Sequence, residues 1–341
     1  MKLLIIGGAG YIGSHMVKLL LDSGHDVVTL DNLSTGYRDA VLGGEFVLGD
    51  LGDRALLDNL FSSHHFDGVM HFAAFIQVGE SVQHPDKYYH NNLVGTLTLL
   101  DAMVAHGINN FIFSSTAAIF GEPHYIPIDE RHPKLPINPY GRSKWMVEQV
   151  LADYDQAYGL RSICLRYFNA AGADPSGLLG ERHEPETHLI PLVLQVASGR
   201  RERIEVYGAD YETPDGTCIR DYIHIVDLCQ AHLFALNTLR QQGQSAAYNL
   251  GNGSGFSVHE VIEAARRITG KPIMAVTASR RAGDPARLVA DAALARRMLN
   301  WQPEHAELNT IIEHAWRWEQ KYADRLYHDS TVAARGRNCS V

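Results

Sequence analysis

Two residue types suited to proton transfer stand four positions apart in the middle of the chain, Tyr140 and Lys144. Residues at i and i+4 share one face of a helix. A free phenol has a pKa of roughly 10, too high for a base at neutral pH, and a nearby lysine cation favours the phenolate. Thr116 ends an apolar run, where its hydroxyl can bond a substrate hydroxyl and pass on the proton. The three side chains predict a site that removes a proton from a substrate hydroxyl.

A glycine-rich loop follows the first apolar run, with Gly7, Gly10 and Gly13 at three-residue spacing. Glycines here allow a tight turn, close approach of a pyrophosphate to the backbone and close packing of helix on strand. The pyrophosphate then lies at a helix N-terminus, where free N–H groups favour negative charge. Asp31 ends the second apolar run, where a carboxylate accepts hydrogen bonds from ribose hydroxyls and repels a 2′-phosphate. The pattern predicts a dinucleotide site that takes NAD rather than NADP.

Two further strand ends are expected to face this cofactor. Asp50 follows the third apolar run, and from the sequence it either contacts the adenine or caps the helix that begins near residue 54. Ala73 and Ala74 follow the fourth run, and their small side chains leave room for the nicotinamide half of the cofactor beside the sheet edge. Lys144 is also a candidate for binding the nicotinamide ribose.

Short apolar runs alternate with helix-length segments in the first half of the chain, and these elements must hold the site. Strand–helix alternation predicts βαβ units around a parallel sheet. The fold class is therefore α/β, a Rossmann-type doubly wound parallel sheet with a smaller mixed α/β C-terminal substrate domain. The predicted strands are 2–6, 27–30, 45–48, 68–72, 110–114 and 162–166, and the predicted helices between them are 12–23, 54–63, 86–106 and 139–158.

The texture of the sequence changes after residue 169, where loops rich in glycine, proline and charge begin. We predict an NAD-binding Rossmann domain over 1–168, to which later segments near 218–250 return. A substrate domain is predicted over 169–330. Residues 331–341 are polar and unpatterned, which predicts a disordered tail.

Several motifs, in this order along the chain, resemble those of the extended short-chain dehydrogenase/reductase superfamily. They are the glycine loop, VGES at 78–81, NN at 91–92, FSST at 113–116, YGRSK at 140–144, RYFN at 166–169, DGTCIRDYIH at 215–224 and RAGD at 281–284. Within the superfamily the chain is similar to the UDP-glucose 4-epimerase family from residue 2 to about residue 318. The 215–224 stretch is specific to that family and its nearest relatives.

The resemblance implies reversible 4-epimerisation of UDP-glucose and UDP-galactose through a transient 4-keto sugar, with NAD bound throughout. Tyr140 would take the proton of the sugar 4-hydroxyl, assisted by Thr116. The predicted cofactor-binding residues are Gly7, Gly10, Tyr11, Ile12, Gly13, Asp31, Asn32, Thr35, Gly36, Asp50, Leu51, Phe72, Ala73, Ala74, Asn92, Ser114, Tyr140, Lys144 and Tyr167. The predicted substrate-binding residues are Thr116, Tyr140, Asn169, His188, Leu189, Tyr207, Arg220, Arg281, Asp284 and Leu288.

Four positions depart from the family pattern or vary within the family. Thr116 stands where many relatives have serine, and its hydroxyl can do the same work. Ile76 replaces a lysine that lies near the cofactor in some epimerases, and His188 replaces an asparagine beside the substrate. Leu288 falls at the position that gates the sugar pocket, where tyrosine restricts N-acetylated sugars and a small residue admits them. Leucine is intermediate, and we expect the plain sugars to be the substrates.

Other activities that occur on the same fold are alternatives to this reaction. UDP-GlcNAc/UDP-GalNAc and UDP-xylose/UDP-arabinose 4-epimerisation are the alternatives within the family. A nucleotide-sugar 4,6-dehydratase commonly has an acid directly after the catalytic hydroxyl, whereas Ala117 and Ala118 stand there. A true dehydrogenase would release NADH in each turnover. A binding protein without activity would have no need of the complete set Thr116, Tyr140 and Lys144.

The composition excludes several classes of protein. A formal net charge of −9 argues against nucleic acid as a partner, since that role usually needs a basic face. The 18 histidines and four cysteines show no metal-ligand spacing, so we expect no metal site. Because the sequence has neither a targeting segment nor an apolar run long enough to span a membrane, we expect a cytoplasmic protein. The resemblance implies a homodimer formed through the helices at 86–106 and 139–158.

Overall fold

The computed structural model describes residues 1–281 and 284–337, and its elements are numbered here in chain order. The strands are β1 Lys2–Ile6, β2 Asp26–Asp31, β3 Glu45–Leu48, β4 Gly68–His71, β5 Asn110–Thr116, β6 Arg161–Tyr167, β7 Asn169–Ala171, β8 Ile204–Tyr207, β9 Ile219–His224, β10 Ala246–Leu250, β11 Gly255–Ser257, β12 Ala275–Ala278 and β13 Arg287–Leu288. The helices are α1 Tyr11–Asp22, α2 Arg54–Ser63, α3 Val78–Gln83, α4 Pro85–Tyr88, α5 Thr96–Ala105, α6 Pro139–Tyr158, α7 Leu189–Ala197, α8 Ile225–Gln242, α9 Val258–Thr269, α10 Ala293–Leu299 and α11 Leu308–Arg337.

Seven parallel strands form the main sheet, in the order β10-β6-β5-β4-β1-β2-β3. The chain runs outward from β1 to β3, then crosses back and continues from β4 on the other side of β1. Ligands of doubly wound sheets bind beyond the carboxyl ends of the strands, where the strand order reverses. The predicted fold class is confirmed, and the reversal places the candidate site beside β1 and β4.

Burial on both faces explains why the strands are almost continuously apolar. Side chains of a strand alternate between the two faces, so Leu3 and Ile5 of β1 belong to one core and Leu4 and Ile6 to the other. The first core also contains buried side chains of α1 and α8, and the second those of α2, α5 and α6. These layers hold the strand ends, and hence the site, in fixed positions.

The predicted helix 86–106 is divided in the structure. It consists of α4, a π-helical segment at Tyr89–Gly95, and α5. Asn92 lies in the π-helical segment, and its side-chain amide donates to the Phe75 carbonyl (3.0 Å) and accepts from the Phe75 N–H (2.9 Å). Hydrophobic spacing does not separate a π turn from an α turn, so the sequence predicted one uninterrupted helix. Such segments are frequent near functional sites.

The rest of the chain forms a smaller α/β region. In this region β9 pairs with β7, β11 and β13, and β8 pairs with β12, while α7, α9 and α11 pack into a third core. Of the segments near 218–250, β10 joins the main sheet and β9 joins the smaller one. Helix α11 continues to Arg337 through the first part of the predicted tail, and residues 338–341 lie outside the described residues. Among the described helices, none is long and apolar enough to cross a membrane.

Buried histidines predict a loss of stability in acid. Burial lowers the pKa of His71 on β4 to about 3 and that of His232 on α8 to about 4, from an ordinary value of 6.5. The unfolded chain therefore binds more protons than the folded chain below pH 6.5. We expect the free energy of unfolding to fall as the pH drops from 6.5 to 4.5, each such histidine contributing up to about 1.4 kcal/mol per pH unit.

Urea denaturation at several pH values measures this slope. The variant His71→Gln keeps a side chain that can bond the Thr96 hydroxyl, which lies 2.9 Å from His71 Nε2, but it takes up no proton. The free energy of unfolding of this variant should depend less steeply on pH than that of the unsubstituted protein. The difference should correspond to nearly one proton fewer taken up on unfolding. Equal slopes would show that His71 does not titrate on unfolding in this range.

Candidate active site

A cleft of about 680 Å³ opens at the carboxyl ends of the main-sheet strands. It brings together most of the predicted cofactor-binding residues and all three of the predicted catalytic residues. The predicted residues that line it are Gly7, Gly10, Tyr11, Ile12, Gly13, Asp31, Asn32, Thr35, Leu51, Phe72, Ala73, Ala74, Thr116, Tyr140, Lys144, Tyr167, Asn169, His188, Arg220 and Leu288. This volume is within the range usual for small-molecule sites.

The N-terminus of α1 forms one part of the cleft wall. Gly10 is the N-cap and offers no side chain to the first-turn N–H groups, which leaves them for a ligand. Gly7 has a φ of 79°, and a Cβ there would lie 2.5 Å from the Ala73 nitrogen. A Cβ on Gly13 would lie against the Gly7 carbonyl oxygen and 2.7 Å from Gly8 Cα. The loop therefore tolerates only glycine at these two positions, and it fits the pyrophosphate of a dinucleotide.

Asp31 lies at the end of β2 in the same cleft, with 8% of its surface exposed. Its two carboxylate oxygens accept hydrogen bonds from the Ala9 N–H (2.9 Å) and the Leu33 N–H (2.8 Å). Burial raises the pKa of the Asp31 carboxyl, and these two bonds act against it. Each oxygen keeps one further lone pair, which suits it to accept from ribose hydroxyls.

Asp50 does not line the cleft. Its carboxylate accepts from the Asn32 amide (2.7 Å) and from the Gly52 N–H (2.8 Å). The alternative that it caps α2 is wrong, because the Asp53 side chain accepts from the Leu56 N–H and is the cap. Asp50 instead holds Asn32, which does line the cleft.

The three predicted catalytic side chains come from two adjacent elements. Thr116 is the last residue of β5, and its Oγ1 accepts from the Ala118 N–H at 3.1 Å, so its own proton can be donated into the cleft. Tyr140 lies in the first turn of α6, which begins at Pro139, with the Asn138 side chain as its cap. Lys144 is one turn further along α6, and its Nζ donates to the Ser114 carbonyl at 2.9 Å. The predicted helical pairing of Tyr140 and Lys144 is thus present.

The electrostatics of these side chains differ from the sequence expectation. Burial lowers the pKa of Lys144 to about 7, so a large fraction of this amine is neutral near pH 7. Desolvation also raises the pKa of the Tyr140 phenol, and a hydrogen bond with Thr116 only partly opposes it. The phenol is therefore not activated by the protein alone. The positive charge of an oxidised nicotinamide favours the phenolate and would supply what the protein lacks.

A buried ion pair that the sequence analysis did not single out lies beneath this site. Glu148 is one turn beyond Lys144 on α6, and Arg166 of β6 donates to both of its carboxylate oxygens (Nε to oxygen, 3.0 and 3.1 Å). Ser115 of β5 donates to the same carboxylate at 2.5 Å. The network ties α6 to the strand that carries Thr116. Its signal in the sequence was the RYFN motif, which includes Arg166.

The predicted UDP-binding residues fall into two groups. Asn169, His188, Arg220 and Leu288 line the cleft. Arg220 is ion-paired with Asp284, and the Arg281 guanidinium stacks 3.8 Å from the centre of the Tyr207 ring. Within the part of the chain that the structure describes, the predicted site residues that do not line the cleft are Gly36, Asp50, Asn92, Ser114, Leu189, Tyr207, Arg281 and Asp284.

The loop between β7 and α7 supplies cleft residues that were not predicted from the sequence. Glu181 and His183 line the cleft beside His188. Burial lowers the pKa of His183, but the nearby carboxylates of Glu181 and Glu186 outweigh it and raise the pKa to about 9. Desolvation likewise lowers the pKa of His188, and the same two carboxylates raise it to about 10. The spacing of these residues matches no known metal motif, and nothing else in the sequence groups them. Ile76 also lines the cleft and brings no charge to it.

A doubly wound parallel sheet, a glycine-rich helix start and a Thr–Tyr–Lys set that lines the cleft beyond the strand ends define a dinucleotide-dependent enzyme. The family model that matches the sequence is "NAD dependent epimerase/dehydratase family", over residues 3–251, and the chain belongs to that family. The predicted cofactor, NAD, is thereby confirmed.

Similar proteins are UDP-glucose 4-epimerases. The one from Halalkalibacterium halodurans is 53% identical over 94% of this chain and 96% of its own length. The one from Corynebacterium glutamicum is 51% identical over 96% of this chain and 98% of its own length. The crystal structure of the enzyme from Brucella ovis in complex with NAD is 51% identical, with a TM-score of 0.91, and the match covers 92% of this chain and 97% of that one. The family predicted from the motifs is confirmed.

Proposed function

We propose that this protein interconverts UDP-glucose and UDP-galactose by inverting C4 of the sugar. The observation that carries the proposal is the single cleft that holds the α1 N-terminus, the Thr116–Tyr140–Lys144 set and Arg220. The similarity to UDP-glucose 4-epimerases over nearly the whole chain supports the same activity.

Each residue has a distinct task in this reaction. Tyr140 accepts the proton of the sugar 4-hydroxyl and later returns it, while Thr116 donates a hydrogen bond that orients that hydroxyl. Lys144 holds the nicotinamide ribose, and its protonated fraction adds positive charge near the phenol. Bound NAD supplies a hydride acceptor that becomes a hydride donor, so the cycle has no net redox change. The protein's own contribution is orientation, because hydride transfer needs near-attack geometry.

Arg220 is proposed to bind the diphosphate of the substrate. Its guanidinium offers a planar fork of donors to phosphate oxygens, and Asp284 holds it in place when no substrate competes. We expect Arg220→Gln to raise KM for UDP-galactose by about 10- to 100-fold with a smaller change in kcat, as loss of a charged hydrogen bond predicts. Steady-state kinetics measure this. The matched control is Arg287→Gln on β13, an exposed arginine outside the cleft. An unchanged KM in the Arg220 variant would remove Arg220 from the substrate site.

Leu288 lines the cleft on β13 and is proposed to set how large a sugar is accepted. A larger side chain there leaves less room for an N-acetyl group. We expect Leu288→Tyr to lower kcat/KM for UDP-GalNAc relative to UDP-galactose by about 10-fold, since even a single methylene group in an apolar pocket is worth about 1–3 kcal/mol of discrimination. Leu288→Ala should raise the same ratio. Competition between the two sugars, followed by chromatography, gives the ratio. Equal ratios in all three proteins would place the selectivity elsewhere.

We propose a homodimer that pairs through the segment from α4 to α5 and through α6. Exposed apolar side chains lie in these segments, with Val94 48% and Met146 38% exposed. Burying such surface against a second copy is favourable.

The domain boundaries given above and the cytoplasmic location stay predictions.

Incubation of the purified protein with UDP-galactose, without added NAD, tests the proposed activity. Because the cofactor is regenerated in each cycle, UDP-glucose should form until the two sugars reach equilibrium. Free galactose, which lacks the diphosphate, is the control and should not react. If no UDP-sugar is interconverted even after NAD is added, the proposal fails. If NADH accumulates in the solution, the enzyme is a dehydrogenase.

A further inference from the structure

The loop between β7 and α7 gathers two glutamates and two histidines beside the cleft. Glu181, His183, Glu186 and His188 each point one ligand atom, a ring nitrogen or a carboxylate oxygen, into a space in which all four atoms lie within 4.8 Å of one another. They come from eight consecutive positions, and the glutamate side chains are each only 6% exposed. Nothing in the proposed epimerisation uses this grouping.

The histidine-to-carboxylate distances in this cluster are close to those between neighbouring ligands of a small tetrahedral ion. His183 Nδ1 lies 3.3 Å from the nearest oxygen of Glu181 and 3.5 Å from that of Glu186. His188 Nδ1 lies 2.8 Å from Glu181 and 3.1 Å from Glu186. Bonds of about 2.0–2.1 Å from a tetrahedral zinc ion to nitrogen or oxygen place neighbouring ligand atoms about 3.3 Å apart. The four histidine-to-carboxylate separations lie around this value, with Glu186 facing His183 through one carboxylate oxygen and His188 through the other.

Hydrogen bonds alone satisfy the cluster poorly. His183 Nδ1 is buried and has no hydrogen-bond partner among residues 1–281 and 284–337, although two carboxylates are close to it. His188 Nδ1 carries at most one proton, yet it faces two carboxylates. Buried polar atoms are normally paired, and an unpaired one calls for a missing partner. A cation between the four atoms would satisfy both nitrogens and both carboxylates at once.

We propose that Glu181, His183, Glu186 and His188 form a tetrahedral site for a divalent transition-metal ion of the Zn²⁺ type. Imidazole nitrogen with carboxylate oxygen suits zinc and its neighbours, whereas Mg²⁺ and Ca²⁺ prefer oxygen ligands alone. Four protein ligands leave no open position, so the ion is structural and takes no part in the reaction. The ion fixes the loop that forms this wall of the cleft. Because Nδ1 of His188 binds the ion, only Nε2 of that ring is available to the substrate.

Substitution with cobalt tests the proposed geometry in the unsubstituted protein. After removal of metal with a chelator, the protein should take up one Co²⁺ per chain and show the strong visible absorption of a tetrahedral site, and Zn²⁺ should displace it. Weak octahedral absorption, or uptake well below one ion per chain, would overturn the proposal. This measurement depends on no variant and also works if a ligand variant fails to fold.

Ligand variants test the location of the ion. His183→Gln and Glu186→Gln should each weaken Zn²⁺ binding by at least about 100-fold in competition with a chromogenic chelator, since loss of an outer partner alone costs 10–100-fold. His84→Gln, at an exposed position, is the matched control and should bind as the unsubstituted protein does. Circular dichroism verifies folding of each variant. Unchanged binding in the ligand variants would contradict the proposal and place the ion elsewhere, for example between His224 and His314, whose Nε2 and Nδ1 atoms lie 3.0 Å apart.

Discussion

Tyr140→Phe is expected to lower kcat for UDP-galactose by about 100- to 10,000-fold, the usual contribution of a positioned acid–base group. Phenylalanine keeps the ring that packs at the start of α6 and removes only the oxygen that takes the proton. Because Tyr140 is proposed to act on the sugar hydroxyl, KM should change much less than kcat. NAD should stay bound, since the glycine loop and Asp31 are untouched.

Initial rates with UDP-galactose measure this, and release of cofactor on denaturation shows whether NAD was bound. Tyr158→Phe is the matched control: it lies on the same helix, but its side chain is 58% exposed and outside the cleft. It should keep nearly full activity. A Tyr140 variant that retains more than about a tenth of the activity would require another base.

Gly13→Ala is expected to weaken the binding of NAD strongly. The added Cβ would meet the carbonyl oxygen of Gly7 and lie 2.7 Å from Gly8 Cα, and both contacts are with backbone that cannot swing aside. Overpacking of this kind costs about 3 kcal/mol, which corresponds to roughly 100-fold weaker binding if it falls on the bound state. Because the clash lies where α1 begins, we expect the variant to lose the pyrophosphate site while the rest of the fold stays intact.

Gly79→Ala is the control for this change. Gly79 lies in α3, is exposed, and a Cβ there meets nothing within 4 Å. Alanine in a helix is more favourable than glycine by up to about 1 kcal/mol, so this variant should be as stable as the unsubstituted protein or more so. Thermal unfolding and the NAD content of the purified proteins separate the two cases. Normal NAD content in the Gly13 variant would show that the loop does not hold the pyrophosphate.

Local patterns were enough to predict the main sheet. The strands at 2–6 and 45–48 and the helices at 54–63 and 139–158 have the same bounds in the structure, because their apolar spacing is set by burial on the sheet. The glycine loop, Asp31, Thr116 and Tyr140 were found for a similar reason. Each lies at a strand or helix end, where the topology fixes the direction of the chain.

Features that depend on distant or loop residues escaped the sequence analysis. The pairing of Arg220 with Asp284 joins positions 64 residues apart, and nothing local to either predicts it. The grouping of Glu181 and His188 depends on how an irregular loop folds back on itself, which no hydrophobic period describes. The raised pKa of Tyr140 has a similar origin, since it results from desolvation that only packing determines.

The most direct test of the proposed function uses UDP-galactose that carries deuterium at C4 of the sugar. If the hydrogen leaves as hydride and returns to the same carbon within one bound complex, the UDP-glucose product should retain the deuterium at C4, with no exchange into water. Mass spectrometry of the separated product measures the retained label. Full retention is the predicted result. Loss of deuterium to the solvent, or no UDP-glucose at all, would contradict an epimerase that acts through the Tyr140 site.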